Sequence, residues 1–142
     1  MRAGRSLRSP ANPENPLNHP RIGAITALLA VALGAFGTHL LRGGLDPAFS
    51  RTFETAVRYQ FFHALALILV GLMQDRASAR DRQTLGVAGF LFLAGTILFS
   101  GSLYFMSVTG ASWVGAITPL GGAALLAGWV AFALGCGGRR PA

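Results

Sequence analysis

Apolar residues gather into four blocks along the chain, separated by short polar or glycine-containing breaks. Each block can be measured against a hydrocarbon core of about 30 Å, which a helix of about 20 residues crosses at about 1.5 Å per residue. Residues 22–41 carry no formal charge and are long enough to span. Between Arg82 and Arg139 lie 56 residues with neither an acid nor an arginine, too many for one crossing and enough for two. A turn at Thr109–Ser112, "TGAS", divides them into spans of about 85–108 and 113–134. The second block is the difficult one. Its uncharged run, Tyr59–Gln74, is 16 residues, which gives only about 24 Å of helix. A span at 53–74 therefore takes Arg58, and with it Glu54, to the membrane boundary. The pattern predicts an all-α fold, an integral membrane bundle of four transmembrane helices.

Two segments lie outside that bundle. Residues 1–21 are rich in proline, asparagine and arginine and lack apolar periodicity, the composition of a tail that does not fold alone. The membrane domain is expected over 22–138. A basic tail before an apolar run also resembles a secretory signal, but the run continues to Leu41, beyond the usual 7–15-residue signal core, so the first helix is expected to be retained. His19, in the tail, receives no role. Between the first two spans, Asp46 suits a helix N-cap and Pro47 the first helical position, so a helix is expected to begin near Pro47. It either lies in the headgroup zone before turning inward or runs on as one helix into the second span.

Composition supports the membrane reading: 52% of the 142 residues are hydrophobic and 12% charged, against about 25% charged in an ordinary soluble domain. The formal charge of +7 comes from scattered arginines between apolar blocks, not from a basic face, so no nucleic-acid partner is expected. Short arginine-rich loops stay in the cytoplasm. Nine arginines fall in the tail, the 75–84 loop and the carboxyl end, against three (Arg42, Arg51 and Arg58) on the other side. The expected location is the bacterial plasma (inner) membrane, with both termini cytoplasmic.

Candidate chemistry sits at the start of the second span. Glu54 and Arg58 have the acid-first four-residue spacing that favours an ion pair on one helix face. Thr55, Tyr59 and His63 form a second column with Gln60 beside it. An interfacial anchor accounts for this strip, since tyrosine prefers the headgroup level and arginine snorkels. A buried polar cluster is the sharper alternative, because a short imidazole five residues deeper than Arg58 snorkels poorly. His39, Ser100, Ser102, Tyr104, Ser107 and Thr118 fall on the same side of the membrane, so an outward-facing polar bowl is one expectation. Plain helix packing by small residues is the other. Pro119 removes the helical donor to the Gly115 carbonyl, and a kink is expected there, with Thr118 or a neighbouring span satisfying that carbonyl. Packing stripes are expected at Ala123, Ala127, Ala131 and Gly135 and, more briefly, at Ala30 and Gly34.

"GAFGTHLL" (34–41), "FETAVRYQFFHALALILVG" (53–71), "GSLY" (101–104) and "GAITPLGG" (115–122) together resemble the small membrane-protein family catalogued as domain of unknown function 423. That family includes bacterial inner-membrane proteins and the eukaryotic transmembrane protein 256. The similarity runs from about Ile22 to Ala133 and implies a compact helical membrane protein with a retained first helix. It carries no reaction or ligand over to these residues.

Three functional classes remain. A non-catalytic membrane protein, structural or engaged with lipids or another membrane protein, fits the lack of any catalytic motif. A small transporter or channel would use the outer bowl, with His63, His39 and Glu54 as its polar groups. An enzyme is not expected: three histidines far apart in sequence and no nearby acid pair make no metal site, a serine nucleophile would need a base such as His63 brought to Ser100 or Ser102 by the fold, and no cofactor is expected. The lipid bilayer is the expected partner, and a homo-oligomer or a membrane-protein partner stays open.

Overall fold

The computed structural model describes residues 17–41 and 47–137, and the side chains of residues 38–41, 47 and 48 are not among the described positions. Four α-helices follow one another: α1 (His19–Leu41), α2 (Pro47–Gln74), α3 (Ala79–Thr109) and α4 (Thr118–Cys136), with a 3-10 helix at Ser112–Ala116. All four crossings are long and apolar enough to span a membrane. The helix that begins at Pro47 runs without interruption into the second span for 28 residues. This resolves the open alternative in favour of one long helix. Asp46, its expected cap, lies outside the described residues.

Successive helices pack on one another, α1 on α2, α2 on α3 and α3 on α4. The inner pair is α2 and α3: 44% and 39% of their spans are buried, against 17% for each of the outer two. Their shared core joins Leu67 and Val70 of α2 to Leu85, Ala88 and Phe92 of α3, with Leu125 of α4 closing over it.

The turns follow local rules. Ser78 caps α3: its Oγ accepts the Asp81 amide at 3.3 Å and donates to the Asp81 carboxylate at 2.7 Å, a reciprocal arrangement at the capping-box spacing. The far end of α3 stops at Gly110, whose left-handed backbone (φ 71°) lets its amide reach the Met106 carbonyl at 2.9 Å. The expected 109–112 turn is therefore present.

Two sequence expectations are corrected here. Pro119 does not kink a continuous fourth helix. It stands in the first turn of α4, where its missing N–H costs nothing, and the preceding residues form the separate 3-10 helix. The Gly115 carbonyl accepts from the Ile117 amide, so Thr118 is free for another partner. The packing stripe of α4 is also rotated from the expected column. Ala123 and Ala127 are exposed and Ala131 half-buried, whereas Gly121, Leu125, Gly128 and Gly135 are buried. A four-residue stride advances the face by about 40° per step and leaves the contact, while a seven-residue stride drifts only about 20°.

That stride recurs on both sides of the α3–α4 contact. Leu85, Phe92 and Phe99 of α3 meet Gly135, Gly128 and Gly121 of the antiparallel α4, each large residue against a glycine. A Cβ on Gly128 would lie 2.8 Å from the Phe92 ring, one on Gly135 2.8 Å from Leu85, and one on Gly121 against the Phe99 backbone. On α1, beyond the buried His19 at its start, the buried positions among the described side chains are Gly23, Ala30 and Gly37, again seven apart, with Gly34 beside them near Val57. Small residues thus let backbones approach where lipid offers no hydrophobic drive to association.

Gly121→Ala is predicted to destabilise the bundle by about 1–3 kcal/mol, because the Phe99 backbone cannot step aside, while Ala123→Leu on the exposed face should stay within about 0.5 kcal/mol. Denaturant unfolding of the two variants in detergent micelles measures the difference.

Candidate functional site

The polar residues of the second span belong to a helix whose buried face contains a seven-residue series: Phe53, Gln60, Leu67 and Gln74. Two members of that series are glutamines, and each joins three helices. Gln60 donates from Nε2 to the Thr26 carbonyl of α1 at 3.0 Å and accepts at Oε1 from the Tyr104 hydroxyl of α3 at 2.8 Å. The Tyr104 ring is fixed in turn by an edge-on contact with Phe53 at 5.0 Å. Near the other end, Gln74 accepts at Oε1 from Nδ1 of His19 at 3.0 Å and donates to the Arg82 carbonyl at 3.1 Å.

His63 is held between two groups that allow only one protonation pattern. A carbonyl can only accept, so Nδ1 donates to the Tyr59 carbonyl at 2.7 Å. An indole N–H can only donate, so Nε2 accepts from Trp129 of α4 at 3.2 Å. The result is a neutral imidazole with its proton on Nδ1. Phe92 packs beside both rings, 5.7 Å from His63 and 4.9 Å from Trp129. A fourth link joins α3 to α4: the Ser102 hydroxyl donates to the Phe99 carbonyl at 2.9 Å and shares a 2.8 Å bond with Thr118.

The structure thus brings together Gln60 with Tyr104, and Ser102 with Thr118, and buries His63 beside Trp129. Others in the expected cluster stand apart. Glu54 and Arg58 are both exposed, and among the described residues no ion pair joins them. Arg58 instead borders a cleft between α2 and α4. Tyr59 is exposed and packs on Phe99 at 4.6 Å. Ser100 is buried with no hydrogen-bond partner for its hydroxyl, as is Thr96, one turn away. Ser107 bonds back to the Leu103 carbonyl of its own helix at 2.7 Å. His39 belongs to α1, but its side chain lies outside the described positions.

The cleft measures about 550 Å³ and is lined by Arg58, Phe62, His63, Leu65, Leu69 and Trp129, with Tyr59 and Ala66 completing its wall. Phe62, Leu65 and Leu69 are exposed, so it opens sideways onto the apolar surroundings. Among the described residues no three histidine, cysteine, aspartate or glutamate side chains gather as a metal-binding group would need.

Sequence reading missed His19, Gln74, Thr26 and Trp129. His19 opens α1, three residues before the expected span, and is buried against Gly89, with its Nε2 unpartnered. One signal was available: Gln74 follows Gln60 by two seven-residue steps, which places both on one face.

Apolar length and internally bonded polar side chains define the class, a four-helix membrane protein. The family model described as "Protein of unknown function (DUF423)" matches residues 33–122, and the chain belongs to that family. It is 49% identical over 109 residues to the UPF0382 membrane protein YwdK of Bacillus subtilis, covering 77% of this chain and 87% of that relative. It is also 40% identical over 109 residues to a UPF0382 membrane protein of Staphylococcus epidermidis, covering 77% and 86%. A UPF0382 membrane protein of Staphylococcus haemolyticus matches at 39% with the same coverage. No solved structure matches the chain.

Gln60→Leu and Tyr104→Phe each strand one partner of a hydrogen bond inside the bundle. The double-mutant cycle should give a coupling of about 0.6 kcal/mol, the average for polar contacts between membrane helices, and no more than about 1.7 kcal/mol. Unfolding of the two single variants and the double variant in micelles measures it.

Proposed function

We propose that this chain is a non-catalytic protein of the bacterial inner membrane that acts through its contacts within the bilayer. One observation carries the reading: Gln60 and His63, the polar side chains best placed to line a path, are each engaged at both ends in hydrogen bonds within the bundle. Gln60 is occupied at both ends, and His63 is fixed as a neutral ring with donor and acceptor both engaged. A proton-coupled transporter needs an ionisable group free to change state near the midplane, and His63 in this setting serves as a strut. The arginine distribution supports an orientation with both termini cytoplasmic.

A small transporter or channel is the second reading. It is favoured by the unpartnered Thr96 and Ser100 hydroxyls and by the cleft that reaches His63.

Single cysteines at Ser6, Ala48, Ser78, Ser112 and His63, each in a Cys136→Ser background, separate the two when labelled with a membrane-impermeant thiol reagent in intact cells. Ala48 and Ser112 are expected to label, and Ser6 and Ser78 to stay protected. Protection of the His63 cysteine is the outcome for a packed bundle. Labelling there would admit water to the polar groups and move the function to transport, and labelling at Ser6 or Ser78 would reverse the orientation.

A further inference from the structure

The cleft between α2 and α4 has a cation, Arg58, in its otherwise largely apolar lining. Arg58 has no acidic partner among the described residues. Its height along α2 decides what can reach it. Arg58 stands 16 residues from Gln74, about 24 Å along the helix, while Asp75, Arg76, Arg80 and Asp81 mark the membrane boundary at the Gln74 end. In a core of about 30 Å, Arg58 is then within about 6 Å of the opposite boundary, close enough for its long side chain to meet headgroup phosphates.

From Arg58 the cleft descends past Phe62 and Leu65 to Leu69. That is about 16 Å of helix, against about 15 Å for half of the hydrocarbon core. The cleft therefore has the depth of one leaflet, a charged upper end and apolar walls. Its floor is the His63–Trp129 pair, whose ring nitrogens are already bonded, so an apolar chain can lie over it without stranding a donor. The volume, about 550 Å³, lies within the roughly 300–1,000 Å³ of ordinary ligand pockets.

We propose that this cleft is a binding groove for one acyl chain of an anionic phospholipid whose phosphate pairs with the Arg58 guanidinium. The lipid belongs to the leaflet on the amino-terminal side of α2. Net charge makes the choice between headgroups: arginine attracts the phosphate of either lipid, but a zwitterionic headgroup brings its own cation to the site. The Tyr59 hydroxyl, which bonds to no described residue, offers a second donor at the same level. Glu54, one turn nearer the water, opposes the anion without lining the cleft.

The inference rests on the membrane reading above, and its test is independent of thiol labelling. Trp129 reports directly on the groove. With Trp113, the other tryptophan, replaced by phenylalanine, the full chain is reconstituted into phosphatidylcholine vesicles. These contain a fixed fraction of mid-chain-dibrominated phosphatidylglycerol or of the same brominated phosphatidylcholine. Quenching of Trp129 should show a preference of about fivefold for the anionic lipid, the effect of one cation near a membrane surface. Arg58→Ala should abolish that preference, Arg58→Lys should retain most of it, and Glu54→Gln should raise it. Equal quenching by the two lipids, or a preference that survives Arg58→Ala, overturns the groove. The packed, non-catalytic reading would still stand in that case, because only the labelling of the His63 cysteine tests it.

Discussion

Gln60 and Gln74 stand two seven-residue steps apart on the buried face of α2, and each ties that helix to both of its neighbours. In water such bonds would add little, because every group could bond to solvent instead. For Gln60, within the bilayer, the alternative is an unsatisfied amide in hydrocarbon, while Gln74 makes its bonds at the membrane boundary. The glutamines therefore fix the rotation and height of α1 and α3 against α2: a helix that turned or slid would lose its partner. His63 extends the same device to α4 through Trp129, and the Ser102–Thr118 bond closes the α3–α4 side. All four helices are linked by side-chain bonds, and those of Gln60, His63 and Ser102 lie where lipid offers no substitute.

Those bonds need close backbones, and the seven-residue series of small residues supplies them. Phe92 meets Gly128 and Phe99 meets Gly121 on α4, while Gly23 admits the Ala64 carbonyl of α2 to the surface of α1. A Cβ at any of these glycines would push its helix outward and lengthen hydrogen bonds elsewhere. Packing and polar bonding are thus one arrangement, and the stride of seven common to α1, α2, α3 and α4 keeps the contacts on a single face along each helix. What is left over faces lipid. The cleft beside Arg58 is a leftover of this kind, a gap between α2 and α4 beside the Trp129–His63 bond.

Much of the fold was legible in the sequence because hydropathy and length constrain a membrane helix so tightly. The four spans, the helix start at Pro47 and the turn at Gly110 all follow from local rules. The site was legible only in part. Gln60, His63, Tyr104, Ser102 and Thr118 stood out as polar residues in apolar blocks, but their pairing depends on which helices touch, and spacing within one helix does not contain that. The Glu54–Arg58 pair failed for a related reason: four-residue spacing permits an ion pair, but both side chains are exposed, where such a pair gains little. Proline signals a break without saying whether the break falls inside a helix or at its start, so the expected kink at Pro119 became the first turn of α4. His19 was missed because a proline-rich tail hides the one residue that the Gln74 bond draws into the bundle.

The most direct test of this account is the tautomer of His63, read from the ring ¹⁵N shifts of the selectively labelled protein in bilayers by solid-state NMR. A strut between the Tyr59 carbonyl and the Trp129 indole requires a protonated Nδ1 and a bare, hydrogen-bonded Nε2. The opposite tautomer, or an imidazolium, would mean that His63 is not locked between α2 and α4, and the claim that polar bonds set the arrangement of the helices would fail.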